Sequence, residues 1–184
     1  MPREKQQHEG ILAIDPSWRG FAAVYCGSGG LVQKNVCYDI TQGLKTFKDS
    51  KKSVDLVHAA LSRLVRDIPE AMKSSLVVIE NQFKTNMKNL QLIVVSQLKM
   101  MLGSRVKIVY VSALTVKRHF DIKLSKNHYG NKRAAVSFVQ TNPQLIGWEQ
   151  NINNDNICDA ILLLNCAIEH LKLEMNDMIE FKTT

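Results

Sequence analysis

The segment ILAIDPSWRG, residues 11–20, starts with an apolar run and ends in a turn-forming Asp-Pro pair and a glycine. The apolar run predicts a β-strand, and the residues after it predict a turn. FAAVYC follows directly, and after the turn signal GSGG comes LVQKNVCYDI, so two more strands are expected. The chain therefore opens as a three-stranded meander.

The pattern then changes to helices alternating with strands. LVVI, residues 76–79, is a continuous β-branched run of the kind buried on both faces of a sheet. The other predicted elements are helices over 54–65, 87–102, 132–140 and 155–173, a strand over 106–111, a helical turn over 115–120 and a basic loop over 121–130. This order predicts one α/β domain over 11–173 with a mixed sheet, a disordered leader over 1–10 and a tail over 174–184.

The composition is that of an ordinary globular protein with a basic excess. Of 184 residues, 45% are hydrophobic and 22% charged, and the net charge is +7. This charge suits a polyanion such as nucleic acid, although a solvated basic surface is the simpler explanation. No apolar run is long enough to span a membrane, and the polar start lacks a signal peptide, so we predict an intracellular protein that is not secreted.

The four cysteines are Cys26, Cys37, Cys158 and Cys166. They form no CxxC pair, and the histidines are not spaced around them along the chain as zinc ligands would be. We therefore expect reduced, mostly buried thiols.

Two acidic residues directly follow predicted strands. Asp15 follows ILAI and Glu80 follows LVVI. Groups just beyond strand ends line the crevice where α/β sheets bind ligands. Taken singly, each has an ordinary explanation, because Asp15 suits a turn and Glu80 suits an exit from the sheet.

More acids stand at the start of the last helix, in NNDNICDAILLL, residues 153–164. Helix capping is the simplest explanation of such a cluster. However, Asp155 and Asp159 are four residues apart and share one helix face, and Asn156 falls near it. Together with Asp15 and Glu80, they provide the oxygen ligands that a hard divalent cation needs. Two such ions can cleave a phosphodiester, and a basic surface would attract that substrate.

These segments resemble the motifs of the RuvC-type Holliday junction resolvases. ILAIDPSWRG resembles the first motif, VVIENQF the second and NNDNICDAILLL the last, while NHYGNKRAAVSFV resembles the basic, helix-opening segment of bacterial and poxvirus-type resolvases. They occur in the family's order over residues 11–173. The resemblance implies an RNase H-like fold with a mixed five-stranded sheet flanked by helices. It also implies a homodimer that binds four-way DNA junctions and makes paired, symmetric nicks with Mg²⁺ or Mn²⁺. Such a protein acts in the cytoplasm of a bacterium or of a virus- or phage-infected cell.

Site residues follow from the resemblance position by position. Asp15, Glu80 and Asp159 match metal ligands, whereas the fourth acid of the pattern falls at Asn156. Asp155 supplies the missing carboxylate if its side chain turns toward the other acids. Lys132 matches the basic residue near the scissile phosphate, although an exposed lysine in a first helical turn is the ordinary alternative. The candidate catalytic set is Asp15, Glu80, Asn156, Asp159 and Lys132, and the candidate ligands of two ions are Asp15, Glu80, Asp155 and Asp159.

Further candidates concern DNA. Phe83 follows Glu80 beside basic residues and suits stacking on an unpaired base, with burial in the core as the alternative. Trp18 is expected to be exposed beside the site, and Trp148 to pack. The residues expected to contact DNA are Arg19, Phe83, Lys84, Lys88, Lys117, Arg118, Lys126, Lys132 and Arg133. The helix over 87–102 carries apolar residues on more than one stripe, which favours a second, dimeric contact.

Three functions remain open at this point. The first is a structure-selective DNA endonuclease. The second is another RNase H-like nuclease that acts on RNA or on an RNA–DNA hybrid. The third is a non-catalytic protein that binds branched DNA, because the amide of Asn156 brings no charge to a cation. An Asp-to-Asn substitution introduced at this position is another explanation of Asn156.

Overall fold

The computed structural model describes residues 10–41, 43, 50–103, 106–123, 128–146 and 152–180. The strands are β1 Gly10–Asp15, β2 Phe21–Gly27, β3 Val32–Tyr38, β4 Leu76–Asn81 and β5 Lys107–Ser112. The α-helices are α1 Ser50–Asp67, α2 Thr85–Leu102, α3 Ala113–His119, α4 His128–Thr141 and α5 Asp155–Glu180. Short 3₁₀ helices cover Pro69–Lys73 and Pro143–Leu145. No helix in these ranges is long and apolar enough to cross a membrane.

The strands form one mixed five-stranded sheet in the order β3-β2-β1-β4-β5, which confirms the predicted fold class. β1, β2 and β3 are antiparallel neighbours, whereas β1, β4 and β5 run parallel. The parallel pairs need crossover connections, which α1 and α2 provide. Ile14 is paired with Ile79, so the next residues, Asp15 and Glu80, lie side by side at the same edge of the sheet.

Alternate residues of the central strands enter two separate cores, one on each face of the sheet. Ile11 and Ala13 pack with α5, α4 and α3, while Leu12 and Ile14 pack with α1 and α2. Burial on both faces explains why β1 and β4 read as continuous apolar runs. Thus α5 lies across β1 and β2, and the start of α5 comes close to the end of β1.

The helices extend beyond the predicted limits. α3 begins directly after β5 because the Ser112 hydroxyl caps it, accepting a hydrogen bond from the Thr115 amide at 3.0 Å. α4 begins at His128, although residues 128–130 were predicted as loop, because its buried residues Ala135 and Val139 hold the whole helix on α5. α5 continues past residue 173 to Glu180. Residues 1–9 of the expected leader, together with Lys126 and Trp148, lie outside the described residues.

Trp18 corrects one expectation, since its side chain is only 8% exposed. It packs into the core with Phe21 and Tyr38 rather than facing solvent beside the site. Its carbonyl accepts a hydrogen bond from the Ile40 amide at 3.0 Å. The turn after β1 is therefore folded against the β3 end of the sheet, which a local pattern does not reveal.

Candidate active site

Three carboxylates from three elements converge at the C-terminal edge of the parallel strands. Asp15 ends β1, Glu80 lies near the end of β4, and Asp159 lies in the second turn of α5. Burial raises the pKa of the Asp15 carboxyl well above its usual range, and the nearby carboxylates of Glu80 and Asp159 raise it further. A hydrogen bond between the Asp15 and Glu80 side chains raises the pKa of Asp15 as well.

The pKa of Asp159 is raised for similar reasons. Burial is the main cause that raises its pKa from the ordinary 3.8 to about 6, and the negative charges of Glu80 and Asp155 act in the same direction. The positive charges of Lys117 and Lys132 oppose this rise. The site thus concentrates negative charge that its own lysines balance only in part.

Capping at the start of α5 is performed by Asn154. Its Oδ1 accepts a hydrogen bond from the Ile157 amide at 3.1 Å. Asn153 instead accepts from the Gln140 side chain at 2.6 Å. Asp155 also accepts a hydrogen bond from a first-turn amide, that of Asn156, at 3.0 Å. Asp159 lies beyond the free amides of the helix start, so capping does not account for it.

Lys132 of α4 lies among the acids at the start of α5. Its ammonium forms an ion pair with Asp155, and it donates to Asn156 Oδ1 at 3.4 Å. Its charge lowers the pKa of both Asp15 and Asp159. Lys132 therefore lies inside the predicted site. The carboxylate of Asp155 is directed to this lysine.

Asn156 lies against the turn between β1 and β2. A Cβ atom on Gly20 would stand 2.2 Å from Asn156 Nδ2, far inside van der Waals contact. Gly20 therefore permits the close approach of this turn to α5. The amide of Asn156 therefore lies close to Gly20 on one side and to the Lys132 ammonium on the other.

Lys117 of α3 is the site residue whose position the sequence did not reveal. It lines a small cavity with Glu80 and Asp159, and its charge is the main influence that lowers the pKa of Asp159. The sequence predicted Lys117 only as one of the residues that contact DNA. α3 follows β5, so its position beside β4 depends on the order of the strands.

Most of the remaining described residues that were predicted to contact DNA lie on segments that follow the same strand ends. Phe83 is 69% exposed, which excludes the alternative of a core residue. The others are exposed as well: Arg19 after β1, Lys84 and Lys88 after β4, Arg118 after β5, and Arg133 on α4. Arg133 and Lys132 also line an open groove of about 600 Å³ together with Tyr129 and Asp155.

Comparisons with known proteins concern the fold. Neither a family model nor a curated protein matches the sequence. Among solved structures, Thermus thermophilus RuvC has a TM-score of 0.60 at 13% identity, covering 90% of this chain and 96% of its own. The yeast mitochondrial Holliday junction resolvase Ydc2 has a TM-score of 0.61 at 10% identity, covering 95% of this chain and 85% of its own.

A viral resolvase has a similar fold. The Fowlpox virus resolvase, solved with Holliday junction DNA, has a TM-score of 0.59 at 14% identity and covers 88% of this chain and 98% of its own. The chain spans most of the length of each of these structures. The protein therefore has the RNase H-like fold of the RuvC-type Holliday junction resolvases, as its motifs predict.

Proposed function

We propose that this protein is a structure-selective DNA endonuclease that resolves four-way junctions by paired, symmetric nicks. The observation that carries the proposal is the convergence of Asp15, Glu80 and Asp159 with Lys117 and Lys132 at one edge of the sheet. Such an activity belongs to DNA recombination and repair inside the cell.

The site's donors fit two Mg²⁺ or Mn²⁺ ions. Its oxygen-only carboxylates are the donors these ions prefer, and the raised pKa of Asp15 and of Asp159 shows negative charge that a cation would relieve. Asp15, Glu80 and Asp159 would hold the ions, with Asp155 as a further candidate. When bound, such ions activate water and stabilise the leaving oxygen of a phosphodiester.

Basic side chains around the carboxylates bind the phosphate groups of the DNA. Lys132 and Lys117 flank the acids, so their charges draw the phosphate toward the carboxylate cluster. Arg19 and Lys84 are exposed on the segments that follow β1 and β4, and Arg133 is exposed next to Lys132 on α4, so these side chains suit the flanking phosphates. Phe83, exposed beside Glu80, provides a face on which an unpaired base at a junction stacks.

A branched substrate is favoured by the structural neighbours. Thermus thermophilus RuvC and the Fowlpox virus resolvase were solved in complex with Holliday junction DNA. The exposed Phe83 also suits the unpaired bases of a branch point rather than a continuous duplex.

The test is cleavage of a synthetic four-way junction with Mg²⁺ or Mn²⁺ by this chain and by an Asn156→Asp variant. We expect both to cut. At limiting metal the variant should be about tenfold faster, because an added carboxylate raises cation affinity. Retained binding without cleavage by either protein would leave only the branched-DNA binder. Preferred cleavage of an RNA–DNA hybrid over the junction would instead support the other RNase H-like nuclease.

Paired nicks require two active sites, and α2 supports a homodimer. Leu90, Val94 and Leu98 are buried against the protein's own core, whereas Leu92 is 63% and Met100 83% exposed. The exposed pair is eight residues apart and therefore lies on one face of α2, away from the core. A two-fold contact through this face would place the two sites on symmetric strands.

Replacing both Leu92 and Met100 by arginine should convert the dimer to a monomer, because two desolvated charges oppose the contact. Analytical ultracentrifugation measures this change, and junction products should shift from paired to single nicks. Leu31→Arg is the matched control, since Leu31 is 51% exposed in the turn between β2 and β3. A wild-type protein that sediments as a monomer on junction DNA would contradict the proposed dimer.

A further inference from the structure

A second group of potential metal ligands lies between α3 and α5, outside the acidic site. It comprises His119, at the end of α3, and Cys166 and His170, one turn apart on α5. The ligand atoms of these three side chains all lie within 4.8 Å of one another. We propose that this cluster binds a zinc ion.

The donor set is the one that zinc prefers. One thiolate and two imidazoles are typical Zn²⁺ ligands, whereas Mg²⁺ and Mn²⁺ favour the oxygen donors of the acidic site. Cys166 and His170 are four residues apart and share a face of α5, and the packing of α3 on α5 brings His119 to them. The inference therefore does not depend on the proposed nuclease function.

The surroundings of the cluster favour binding. The Glu169 carboxylate lies 2.7 Å from His119 Nε2, and such a carboxylate orients a ligating imidazole. The ring centroids of His119 and His170 are 5.1 Å apart. Cys166 is buried while His170 is exposed, so an ion can enter from solvent and be shielded on its inner side.

The histidines were not expected to join the cysteines as zinc ligands, because their spacing along the chain does not fit a zinc motif. The sequence signal was Cys-x₃-His at residues 166–170, which is one helical turn. The third ligand lies 47 residues earlier and is brought in by tertiary packing. A zinc ion here would tie α3 to α5, and thereby hold Lys117 against Asp159.

The test is zinc content after reconstitution of the full chain with Zn²⁺ and dialysis, measured by mass spectrometry. We expect one zinc per chain in the wild type and its loss in Cys166→Ser, His119→Ala and His170→Ala. The controls Cys26→Ser, a buried thiol of β2, and His58→Ala, an exposed imidazole of α1, should keep the ion. Zinc should also raise the melting temperature of the wild type but not of the three variants.

Substitution with Co²⁺ separates this cluster from the acidic site. A cobalt ion bound by Cys166 gives a thiolate charge-transfer band, whereas carboxylate ligands give none. Because His170 is exposed, His170→Ala retains the core even if Cys166→Ser does not fold. A wild type that keeps no zinc, or a His170→Ala variant that keeps both the zinc and the band, would overturn the proposal.

Discussion

Replacing Asp159 by asparagine is expected to abolish junction cleavage and, at the same time, to make the metal-free protein more stable. Loss of the carboxylate removes a metal ligand, and a bound metal stabilises the transition state by several kcal/mol, so the rate should fall by about 10³-fold or more. Quantitative cleavage under single-turnover conditions measures this loss.

The gain in stability follows from the pKa of Asp159. Burial and neighbouring carboxylates raise this pKa from 3.8 to about 6, so the folded state holds the proton more tightly than the unfolded state. Below about pH 4 both states are protonated and there is no penalty. As the pH rises from 4 to 6 the unfolded chain ionises first, and stability falls. Above pH 6 the penalty is complete, at roughly 3 kcal/mol.

Urea unfolding of the metal-free proteins at pH 4 and pH 8 measures this difference. The Asp159→Asn variant should be more stable than the wild type at pH 8 and similar to it at pH 4. Saturating Mg²⁺ should reverse the order at pH 8, because it stabilises only the protein that binds it. Asp55→Asn, on an exposed position of α1, is the matched control. Equal stability of the variant and the wild type at pH 8 would refute the predicted destabilisation by the ionised Asp159 carboxylate.

Replacing Lys132 by methionine is expected to lower cleavage by about 10²-fold, the effect typical of removing one preorganised group that stabilises transition-state charge. Methionine keeps the length of the side chain but removes the charge that pairs with Asp155 and contacts Asn156. Single-turnover rates at saturating protein separate this effect from weaker binding.

The pH profile distinguishes a role at the site from a merely structural one. The charge of Lys132 lowers the pKa of Asp15 and Asp159, so its removal should move the acid limb of the pH–rate profile to higher pH. Lys73→Met is the matched control, because Lys73 is exposed and precedes β4, at the opposite edge of the sheet from Glu80. An unchanged acid limb in Lys132→Met would show that the lysine does not act on these carboxylates.

Much of the fold could be predicted because its signals are local. The continuous apolar runs of β1 and β4 predict strands buried on both faces, and the alternation of helices and strands predicts the parallel crossovers. Once β1 and β4 are parallel neighbours, Asp15 and Glu80, at the ends of these strands, must lie at the same edge of the sheet. The convergence of the first two acids thus combines strand-end positions that the sequence predicted with a strand order that the structure supplied.

Other features depended on contacts between distant residues. Trp18 was expected at the surface but is buried, because the turn after β1 folds onto the core beside β3. Residues 128–130 were expected as loop but are helical, because helix limits respond to packing further along the helix. Phe83 had two possible environments, and only its 69% exposure decided between them.

The sequence by itself determined the strands, the helices and the places of Asp15 and Glu80 at the ends of apolar strands, since these follow from local periodicity. The strand order that aligns Asp15 with Glu80 came from the structure. Only the tertiary structure brought Lys117 to Asp159, Asn156 against Gly20, and His119 to Cys166 and His170. The physical reason is that periodicity reports the neighbours of a residue within one or two turns. Contacts between α3, α5 and the turn after β1 depend instead on how the helices pack on the completed sheet.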